Sequence, residues 1–287
     1  TTVYNYTPND SMFTNPGQWN LNAVQATSAW DITTGSSSIT VGIVDQGVNY
    51  NHEDLQGKNN RTDGILTGNH GTWVAGVVSA NTNNSVGIAS LGFNIKLNSY
   101  NNRYSVADAI YMCSRYSDVI SMSFSTAYQM TYNDLVEIGC PSGVVAQRWA
   151  DFITLKPCNY SEVADVIANA ISQGIVCIAA AGNRSENINN YGYGYPELCD
   201  TWMIPKTVWP AAYPNVIAVS GTELNTNEEF VDEWNYGSFV DVSGPAKNIL
   251  TTIPGGGYYP LDGTSFAAPL TAALAGLLFS LNPNLTV

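Results

Sequence analysis

The segment Asp262-Gly263-Thr264-Ser265-Phe266-Ala267-Ala268-Pro269 is the most informative part of the chain. It predicts a turn that runs directly into an uncharged helix from Phe266 to about Leu281, with Ser265 at the helix N-terminus. The free N–H groups of a first helical turn favour negative charge that forms beside them. Ser265 is therefore a candidate nucleophile, but serine is also a favoured helix cap, and this segment alone does not separate the two roles.

Length and composition favour one large α/β domain over residues 1–287. We expect the protein to be a monomer. With 45% apolar and 11% aromatic residues, the chain of 287 residues can bury a substantial core. Only 10 Lys and Arg stand against 23 Asp and Glu, and the net charge of −13 argues against nucleic acid or an anionic membrane as a partner. The apolar run after Ser265, about 16 residues long, is short for a membrane span and indicates a buried core helix.

Apolar runs alternate with helical patterns along the chain, which predicts a mostly parallel sheet with helices on both faces. The predicted strands are residues 39–44, 94–97, 118–122, 174–179 and 215–219, and the predicted helices begin near His70 or span residues 106–116, 161–172 and 266–281. We find no internal repeat and no linker that would divide the chain.

Four polar residues fall at the carboxyl ends of these strands or at helix starts, where α/β proteins gather their functional groups. They are Asp45, His70, Asn183 and Ser265. Each has an ordinary structural interpretation by itself, as a turn residue, a core histidine or a cap. A histidine base has to be His70 or His52, because the chain has 2 histidines. Together, the order Asp, His, Ser is one of those known for serine-hydrolase triads and favours a hydrolase.

The residues around these positions resemble those of the subtilisin-like serine proteases, the subtilases. The matching blocks are Val44-Asp45-Gln46-Gly47, His70-Gly71-Thr72 with Val74-Ala75-Gly76, Ala180-Ala181-Gly182-Asn183, and Gly263-Thr264-Ser265 with Ala268-Pro269. The opening Tyr6-Thr7-Pro8-Asn9-Asp10 is similar to the calcium-stabilised thermitase branch, whereas Leu270 is similar to the kexin-like branch. Gln46 differs from the Ser, Thr or Asp usual after the catalytic aspartate.

The resemblance implies a three-layer α/β fold and a secreted serine endopeptidase made as a zymogen, whose N-terminal propeptide is removed. It implies that Ser265 attacks a peptide carbonyl, that His70 takes the serine proton, and that Asp45 orients the imidazole. Asn183 and the Ser265 N–H would bind the oxyanion of the tetrahedral intermediate. His52 resembles a non-catalytic position of the family.

The same resemblance implies where a protein or peptide substrate would lie. The substrate would add as a strand to Ser123-Phe124-Ser125 and to a segment near Asn101-Asn102-Arg103. Ala180, Ala181 and Gly182 of the oxyanion block would border it. Ser125 stands where the family usually has glycine at the wall of the primary pocket, so we expect a narrower pocket.

A structural calcium ion is also implied. The loop Asn81-Thr82-Asn83-Asn84-Ser85-Val86-Gly87-Ile88 is similar to the calcium loop of the family. Hard oxygen ligands suit Ca²⁺ better than they suit a transition metal. The expected ligands are carboxylates of Asp10 and Asp54, the amide of Asn84, and carbonyls near Asn81, Val86 and Ile88. An Asn-rich solvated loop is the alternative interpretation of the same residues.

About 60 residues separate Ser123 from Asn183, roughly twice the spacing in related enzymes, and we place the insertion at about 127–160. A bridge between Cys140 and Cys158 would close a loop there, with Cys199 as a competing partner. Cys113 and Cys177 lie in apolar segments and are expected to be buried free thiols. Connectivity does not follow from one sequence.

Two other functional classes stay open. Subtilase frameworks also transfer the acyl group to an amine, which would make the protein a peptide transferase or macrocyclase. A protein that keeps the motifs without catalysis would instead be a binding protein. Product analysis with a competing amine separates the first class from hydrolysis, and covalent labelling of Ser265 separates the second.

Overall fold

The computed structural model describes residues 6–103, 105–124, 126–127, 160–185, 187, 191–193, 203–205, 208–224 and 233–285. Within these residues the strands are β1 (Thr40–Asp45), β2 (Asn59–Thr62), β3 (Lys96–Asn101), β4 (Val119–Met122), β5 (Thr126–Ala127), β6 (Val176–Ala180), β7 (Tyr191–Tyr193), β8 (Met203–Pro205), β9 (Val208–Trp209), β10 (Ile217–Thr222), β11 (Val242–Pro245), β12 (Ile249–Thr252) and β13 (Tyr258–Leu261). The α-helices are α1 (Trp19–Ala23), α2 (Ala26–Trp30), α3 (His70–Ser79), α4 (Val106–Ser114), α5 (Tyr160–Ser172) and α6 (Thr264–Leu281). Single turns of other helix types lie at Phe13–Gly17 and Glu53–Leu55.

Seven strands form one sheet in the order β11-β10-β6-β4-β1-β3-β2, and every neighbouring pair is parallel. β1 lies inside the sheet between β4 and β3, and all six of its residues are buried. A strand that is covered on both faces reads as a continuous apolar run, which is why Ile39-Thr40-Val41-Gly42-Ile43-Val44 predicted it. The parallel sheet predicted from the sequence is confirmed.

Helices cover both faces of the sheet, as the predicted three-layer fold requires. Successive side chains of a strand point to opposite faces. Val41 and Ile43 accordingly join the core under α3 and α6, whereas Val44 joins the core under α4 and α5. The alternation explains how one apolar strand serves two separate cores.

The last helix, α6, lies in the middle of the first core. It packs against α3 and against strands β1, β4, β6, β10 and β11. By length and composition alone it would pass as a membrane span, but 61% of its most apolar window is buried inside the protein. The helix is therefore the buried core helix that the sequence predicted.

The start of α6 corrects one interpretation of Ser265. The helix begins at Thr264, two residues earlier than predicted, and its N-cap is Gly263 with φ of 148°. Ser265 is thus already inside the first turn, and the cap residue makes no side-chain hydrogen bond. The interpretation of Ser265 as a helix cap is wrong, because the glycine takes that backbone position.

Several elements were not predicted, and one predicted strand is shifted. β2 has four exposed polar residues, Asn59–Thr62, and is an edge strand that forms because its backbone pairs with β3. The hairpin of β12 and β13 was also missed. The strand predicted at 94–97 lies at Lys96–Asn101, beyond the end of the apolar run. Cys140, Cys158, Cys199 and the body of the insertion lie outside the described residues.

Cys113 on α4 and Cys177 on β6 are free and buried, which confirms the prediction for both. Burial in apolar surroundings raises the pKa of the Cys177 thiol to about 12, and burial also raises that of Cys113. Thiols in this state remain protonated and unreactive at neutral pH. Both therefore serve as small core side chains in the second core.

Candidate active site

Asp45 and His70 form a close pair at the carboxyl end of β1. The His70 Nδ1 lies 2.9 Å from Asp45 Oδ1 and 2.8 Å from Asp45 Oδ2. Asp45 Oδ1 also accepts the Gln46 backbone N–H at 2.7 Å, which holds the carboxylate in place. Because a carboxylate only accepts, Nδ1 carries the proton and Nε2 keeps its lone pair. This is the tautomer in which Nε2 can act as a base.

The fold brings this pair together by docking the start of α3 against the turn that follows β1. Gly71 lies so close to that turn that a Cβ there would approach the Gly47 carbonyl oxygen to 2.2 Å. The residue after the histidine therefore has to be glycine. Gln46 adds a second tie, because its Oε1 accepts the His70 backbone N–H at 3.3 Å. Gln46 differs from the residues that are usual at this position in subtilases. In the structure its side chain accepts the first N–H of α3.

The environment of His70 sets the sign of its pKa shift. Burial lowers the pKa of the imidazole, but the hydrogen bond and the negative charge of Asp45 together raise it more, so the pKa lies above its ordinary value. The rings of Trp73 and Phe266 pack around the imidazole, with centroids 5.7 Å and 6.4 Å away. The His70 side chain remains 23% exposed, which leaves one edge open to a substrate.

Ser265 is held from the opposite side of the site by Ser123, the residue that follows β4. The Ser265 Oγ donates to the Ser123 carbonyl oxygen at 3.2 Å, and the Ser123 Oγ donates to the Ser265 carbonyl oxygen at 3.0 Å. Pro269 lacks the N–H that a helix would otherwise direct to the Ser265 carbonyl, and the Ser123 hydroxyl satisfies this oxygen instead. Pro269 therefore frees a backbone acceptor for tying α6 to β4.

Between the two described residues Ser265 and His70 the structure has no hydrogen bond, since the hydroxyl donates to Ser123 instead. A rotation about χ1 of Ser265 would turn the hydroxyl away from Ser123. Nucleophile and base contacts are commonly long in substrate-free sites and tighten when substrate binds. Asp45 is thus hydrogen-bonded to His70, whereas Ser265 lines the pocket described below.

Asn183 follows β6 and faces the first turn of α6. Its Oδ1 accepts the Thr264 backbone N–H at 2.9 Å and the Thr264 hydroxyl at 2.8 Å. Because a backbone N–H only donates, the carbonyl side of the amide must face Thr264, and Nδ2 must face the other way. A Cβ added at Gly263 would lie 3.3 Å from that Nδ2, so the donor lies beside the turn that carries Ser265.

The turn that presents Asn183 is braced by Asn235. The Asn235 Nδ2 donates to the Ala181 carbonyl at 2.8 Å, and the Asn235 backbone N–H donates to the Gly182 carbonyl at 2.9 Å. The Asn235 Oδ1 accepts the Arg184 N–H at 3.0 Å. Sequence reasoning missed Asn235, because the brace links positions more than 50 residues apart.

A pocket of about 160 Å³ lies between the carboxyl ends of the paired strands β4 and β6. Among the described residues it is lined by Ser123, Phe124, Ala180, Gly182, Asn183, Arg184, Thr264 and Ser265. The structure thus brings together six residues predicted for the site and adds Thr264 and Arg184, which were not predicted. Ala181 is fully buried and does not line the pocket, and Ser125 lies outside the described residues.

The second predicted substrate edge lies next to Asp45. The Asn102 backbone N–H donates to the Asp45 carbonyl at 2.8 Å, directly after β3 ends at Asn101. The Arg103 N–H bonds to the Asn101 side chain at 2.9 Å. The segment 101–103 therefore leaves the sheet beside the Asp45–His70 pair.

The predicted calcium residues also converge. Asp10 accepts the N–H groups of Asn83 at 2.7 Å and of Asn84 at 3.2 Å. Asp54 accepts the Ile88 N–H at 2.9 Å and the Asn84 Nδ2 at 2.8 Å. The loop backbone presses on Asp54 so closely that a Cβ at Gly87 would lie 2.3 Å from Asp54 Oδ2.

Asp10 and Asp54 form no ion pair within the part of the chain that the structure describes, and the buried Lys58 attracts Asp54 from beyond ion-pair distance. Asp10 and Asp54 are 3% and 0% exposed, and neither is paired with Lys or Arg there. Burial raises the pKa of both carboxyls, and the charge of Asp10 raises that of Asp54 further. The described residues contain no cluster of three or more His, Cys, Asp or Glu that could hold a metal ion.

His52 has a structural role beside this cluster. Its Nδ1 accepts the Asp54 N–H at 3.1 Å, and its Nε2 lies 2.8 Å from the Gly257 carbonyl oxygen, to which it donates. Both ring nitrogens are engaged and the residue is 2% exposed. His70, not His52, is therefore the histidine that the structure places beside Asp45.

Comparison with known proteins places these features in a family. A model of the subtilase family matches residues 36–287. The chain belongs to the subtilase family. This subtilase is 33% identical to thermitase from Thermoactinomyces vulgaris over 96% of its own length and 86% of that protein. It is 31% identical to a thermophilic serine proteinase from Bacillus sp. (strain AK1) over 97% of its own length, but it spans only 61% of that protein. The predicted likeness to thermitase is confirmed.

Solved structures support the fold. The subtilase aligns with the nisin leader peptidase NisP from Lactococcus lactis with a TM-score of 0.72 and 23% identity, covering 93% of this chain and 84% of that one. It aligns with the prenylagaramide maturation protease PagA with a TM-score of 0.67 and 20% identity, covering 90% and 80%. At these identities the likeness establishes the fold, and the predicted subtilisin-like fold class is confirmed.

Proposed function

We propose that this subtilase is a secreted serine endopeptidase and that residues 1–287 form its single catalytic domain. The observation that carries the proposal is the Asp45–His70 pair, with Nδ1 of His70 2.8 Å from Asp45 Oδ2, beside a pocket that Ser265 and Asn183 line together. Family membership supports proteolysis as the activity. Hydrolysis proceeds through an acyl-enzyme.

In the proposed mechanism, His70 Nε2 removes the Ser265 hydroxyl proton as Oγ attacks the scissile carbonyl carbon. The resulting imidazolium then protonates the leaving amine. Asp45 keeps the proton of the neutral ring on Nδ1 and stabilises the imidazolium when it forms. A water molecule activated by the same Nε2 then attacks the ester carbonyl and releases Ser265.

The developing oxyanion needs donors that are already in place before the reaction. Asn183 Nδ2 supplies one, because Thr264 holds the opposite side of the amide through two hydrogen bonds. The Ser265 backbone N–H supplies the second, since the first N–H groups of a helix have no partner within it. These donors cost little reorganisation when charge forms.

The substrate lies extended between the ends of β4 and β3 and pairs with backbone groups there. Ser123 and Phe124 border the pocket, and the segment 101–103 lies on the side of the Asp45–His70 pair. A propeptide that occupies the same groove keeps the zymogen inactive until it is removed. The net charge of −13 fits a secreted protein with no nucleic-acid partner.

A serine-directed fluorophosphonate tests the proposal. We expect one adduct by intact mass on the wild type, none on Ser265→Ala or His70→Ala, and full labelling of Ser38→Ala, which removes an exposed hydroxyl far from the site. A folded wild type that takes no adduct contradicts the hydrolase proposal and favours a silent binding protein.

Removing the Asn183 donor should lower kcat more than it changes KM. We expect Asn183→Ala to lose roughly 10²–10³-fold in kcat, the scale known for the corresponding donor in subtilisin, because this hydrogen bond strengthens only when the oxyanion forms. Initial rates on a peptide substrate measure the effect.

Asn183→Asp is the matched variant, since it keeps the acceptor for Thr264 and replaces the donor with a negatively charged oxygen. It should lose at least as much activity as the alanine variant while its melting temperature stays nearer that of the wild type. Activity in Asn183→Asp close to the wild-type level argues against the oxyanion role.

We further propose that Asp10 and Asp54 bind a structural calcium ion together with the Asn84 side chain and the carbonyls of Asn81, Val86 and Ile88. Two buried carboxylates without a Lys or Arg partner among the described residues support this proposal. The Asn84 amide is not oriented to bind a cation, because its Nδ2 donates to Asp54 and its Oδ1 accepts the Val86 N–H. A half-turn of the amide presents its oxygen to the cation.

Removing calcium should lower stability by mass action. At free calcium of about 100 times Kd, the ion adds roughly 2.7 kcal/mol, which EGTA should remove as a drop of several degrees in melting temperature. Asp54→Asn should melt lower and lose most of its response to calcium. Asp118→Asn is the control, because Asp118 also accepts a backbone N–H, that of Thr40, at 2.8 Å, but lies away from this loop. An equal response to calcium in all three proteins would contradict the site.

A second candidate function is the maturation of a peptide by acyl transfer to an amine. The maturation protease PagA, which shares the fold, is in line with this alternative. Both reactions use the same acyl-enzyme, so product analysis by mass spectrometry with a competing amine distinguishes them. Predominantly hydrolysed product supports the endopeptidase.

A further inference from the structure

Arg184 is the feature of the pocket that the proposed mechanism does not use. It lies directly after Asn183, and it is the one charged residue among the described residues that line the pocket. The other lining residues carry hydroxyl, amide, aromatic or aliphatic groups, or no side chain at all. A cation in this position is notable in a chain with only 10 Lys and Arg against 23 Asp and Glu, because chance would favour an acidic residue.

The Arg184 guanidinium has no partner among the residues that the structure describes. Across the described part of the chain it has neither an ion pair nor a hydrogen bond, whereas its backbone N–H is held by Asn235 Oδ1 at 3.0 Å. Arg61, by contrast, lies over the ring of Tyr116, at 4.0 Å from the centroid. The backbone of Arg184 is therefore fixed by the same brace that holds the Asn183 turn, while no described residue pairs with its charge.

The position of the pocket identifies which part of a substrate enters it. Ser265 Oγ attacks the scissile carbonyl carbon, and the carbonyl oxygen moves to Asn183 Nδ2. The side chain on the carbon next to that carbonyl belongs to the residue immediately before the scissile bond. It enters the pocket that Ser265 and Asn183 line, and Arg184 lines the same pocket.

We propose that Arg184 selects substrates with a glutamate or aspartate immediately before the scissile bond, an inference that rests on the proposed endopeptidase function. Phe124 and Ala180 provide apolar contact for the methylene groups of such a side chain. The guanidinium then binds its carboxylate through two parallel hydrogen bonds. The net charge of −13 repels acidic peptides at long range, so the preference arises from this local contact and works against the field of the whole protein.

Fluorogenic peptides that differ only in the residue before the scissile bond test this inference. Glu and Gln have nearly the same shape, so the ratio of their kcat/KM values isolates the charge. We expect wild type to favour Glu over Gln on the order of tenfold at low ionic strength, and less as salt rises, because the contact is partly exposed. Arg184→Gln should bring the ratio to about one, and Arg184→Glu should favour Lys over Gln. Arg115→Gln, which removes an exposed cation on the far side of the sheet beside Tyr111, should leave the ratio unchanged.

Fluorophosphonate labelling of each variant separates this inference from the proposed function. If the wild type is labelled and active but its kcat/KM for Glu is no higher than that for Gln, Arg184 does not select acidic residues. The endopeptidase proposal then still stands. A preference for Glu over Gln that persists in Arg184→Gln also contradicts the role of Arg184. Wild type that neither labels nor cleaves any peptide overturns the endopeptidase proposal, and the specificity with it.

Discussion

Replacing Ser265 by alanine should lower kcat by roughly 10⁶-fold, the loss that removal of the serine or the histidine causes in subtilisin. His70→Ala should lose as much, because Ser265 without a base is an ordinary alcohol, and His70 without Ser265 has no nucleophile to activate. For the same reason the double variant should lose no more than either single variant. Burst and steady-state rates on an ester and a peptide substrate measure these losses.

Stability measurements keep this prediction separate from misfolding. Ser265→Ala removes one hydrogen bond, from Oγ to the Ser123 carbonyl, and leaves the bond from Ser123 Oγ to the Ser265 carbonyl in place. A net hydrogen bond contributes about 0.5–1.5 kcal/mol, so the variant should remain folded. Losses that add up in the double variant, or activity within tenfold of wild type in either single variant, would show that the two residues do not act as a unit.

Replacing Asp45 by asparagine should lower kcat by about 10⁴-fold through the wrong imidazole tautomer. The structure explains why. The Gln46 N–H donates to Oδ1 at 2.7 Å, so the asparagine oxygen takes that place and its amino group takes the place of Oδ2, 2.8 Å from His70 Nδ1. The amino group then donates to Nδ1, which moves the ring proton to Nε2. The nitrogen that faces the substrate can no longer act as a base.

The pH profile distinguishes this effect from simple disruption. In the wild type, Asp45 raises the His70 pKa against the opposing effect of burial. Since only the neutral imidazole acts as a base, kcat/KM should rise with pH through a pKa above the ordinary histidine value. In Asp45→Asn only burial remains, so the rise should move to lower pH and the deficit relative to wild type should shrink as pH falls.

Asp63→Asn controls for the removal of a negative charge near the same sheet edge. Asp63 accepts the N–H groups of Asn101 at 2.7 Å and Ile65 at 2.9 Å but does not contact His70. We expect less than about a tenfold change in kcat/KM and an unchanged pKa of the profile. An unshifted profile in Asp45→Asn would contradict the assigned role of Asp45.

The central architecture was predictable because buried parallel strands and core helices are recognisable in the sequence by their apolar residues. β1 and β6 read as mostly apolar runs, and α6 reads as an uncharged helix. β2 was not predictable, since Asn59–Thr62 is exposed and polar and becomes a strand only by pairing with β3. Its strand state depends on a neighbour rather than on its own side chains.

Much of the candidate site was predictable for a different reason. Asp45, His70, Asn183 and Ser265 stand at strand ends and helix starts in blocks that resemble a known family, so their chain positions alone suggested a shared edge. Their individual partners were not predictable. The Ser123 carbonyl that accepts the Ser265 hydroxyl lies 142 positions away, and its availability depends on the packing of α6 against β4.

The parallel sheet, its core helices and the identity of the reactive groups therefore follow from local apolar patterns and short motifs. The orientations of these groups depend on the folded chain: Nδ1 of His70 faces Asp45, Thr264 holds the amide of Asn183, and Arg184 lines the pocket. Such orientations arise from hydrogen bonds and packing between distant segments, and these contacts exist only once the chain has folded.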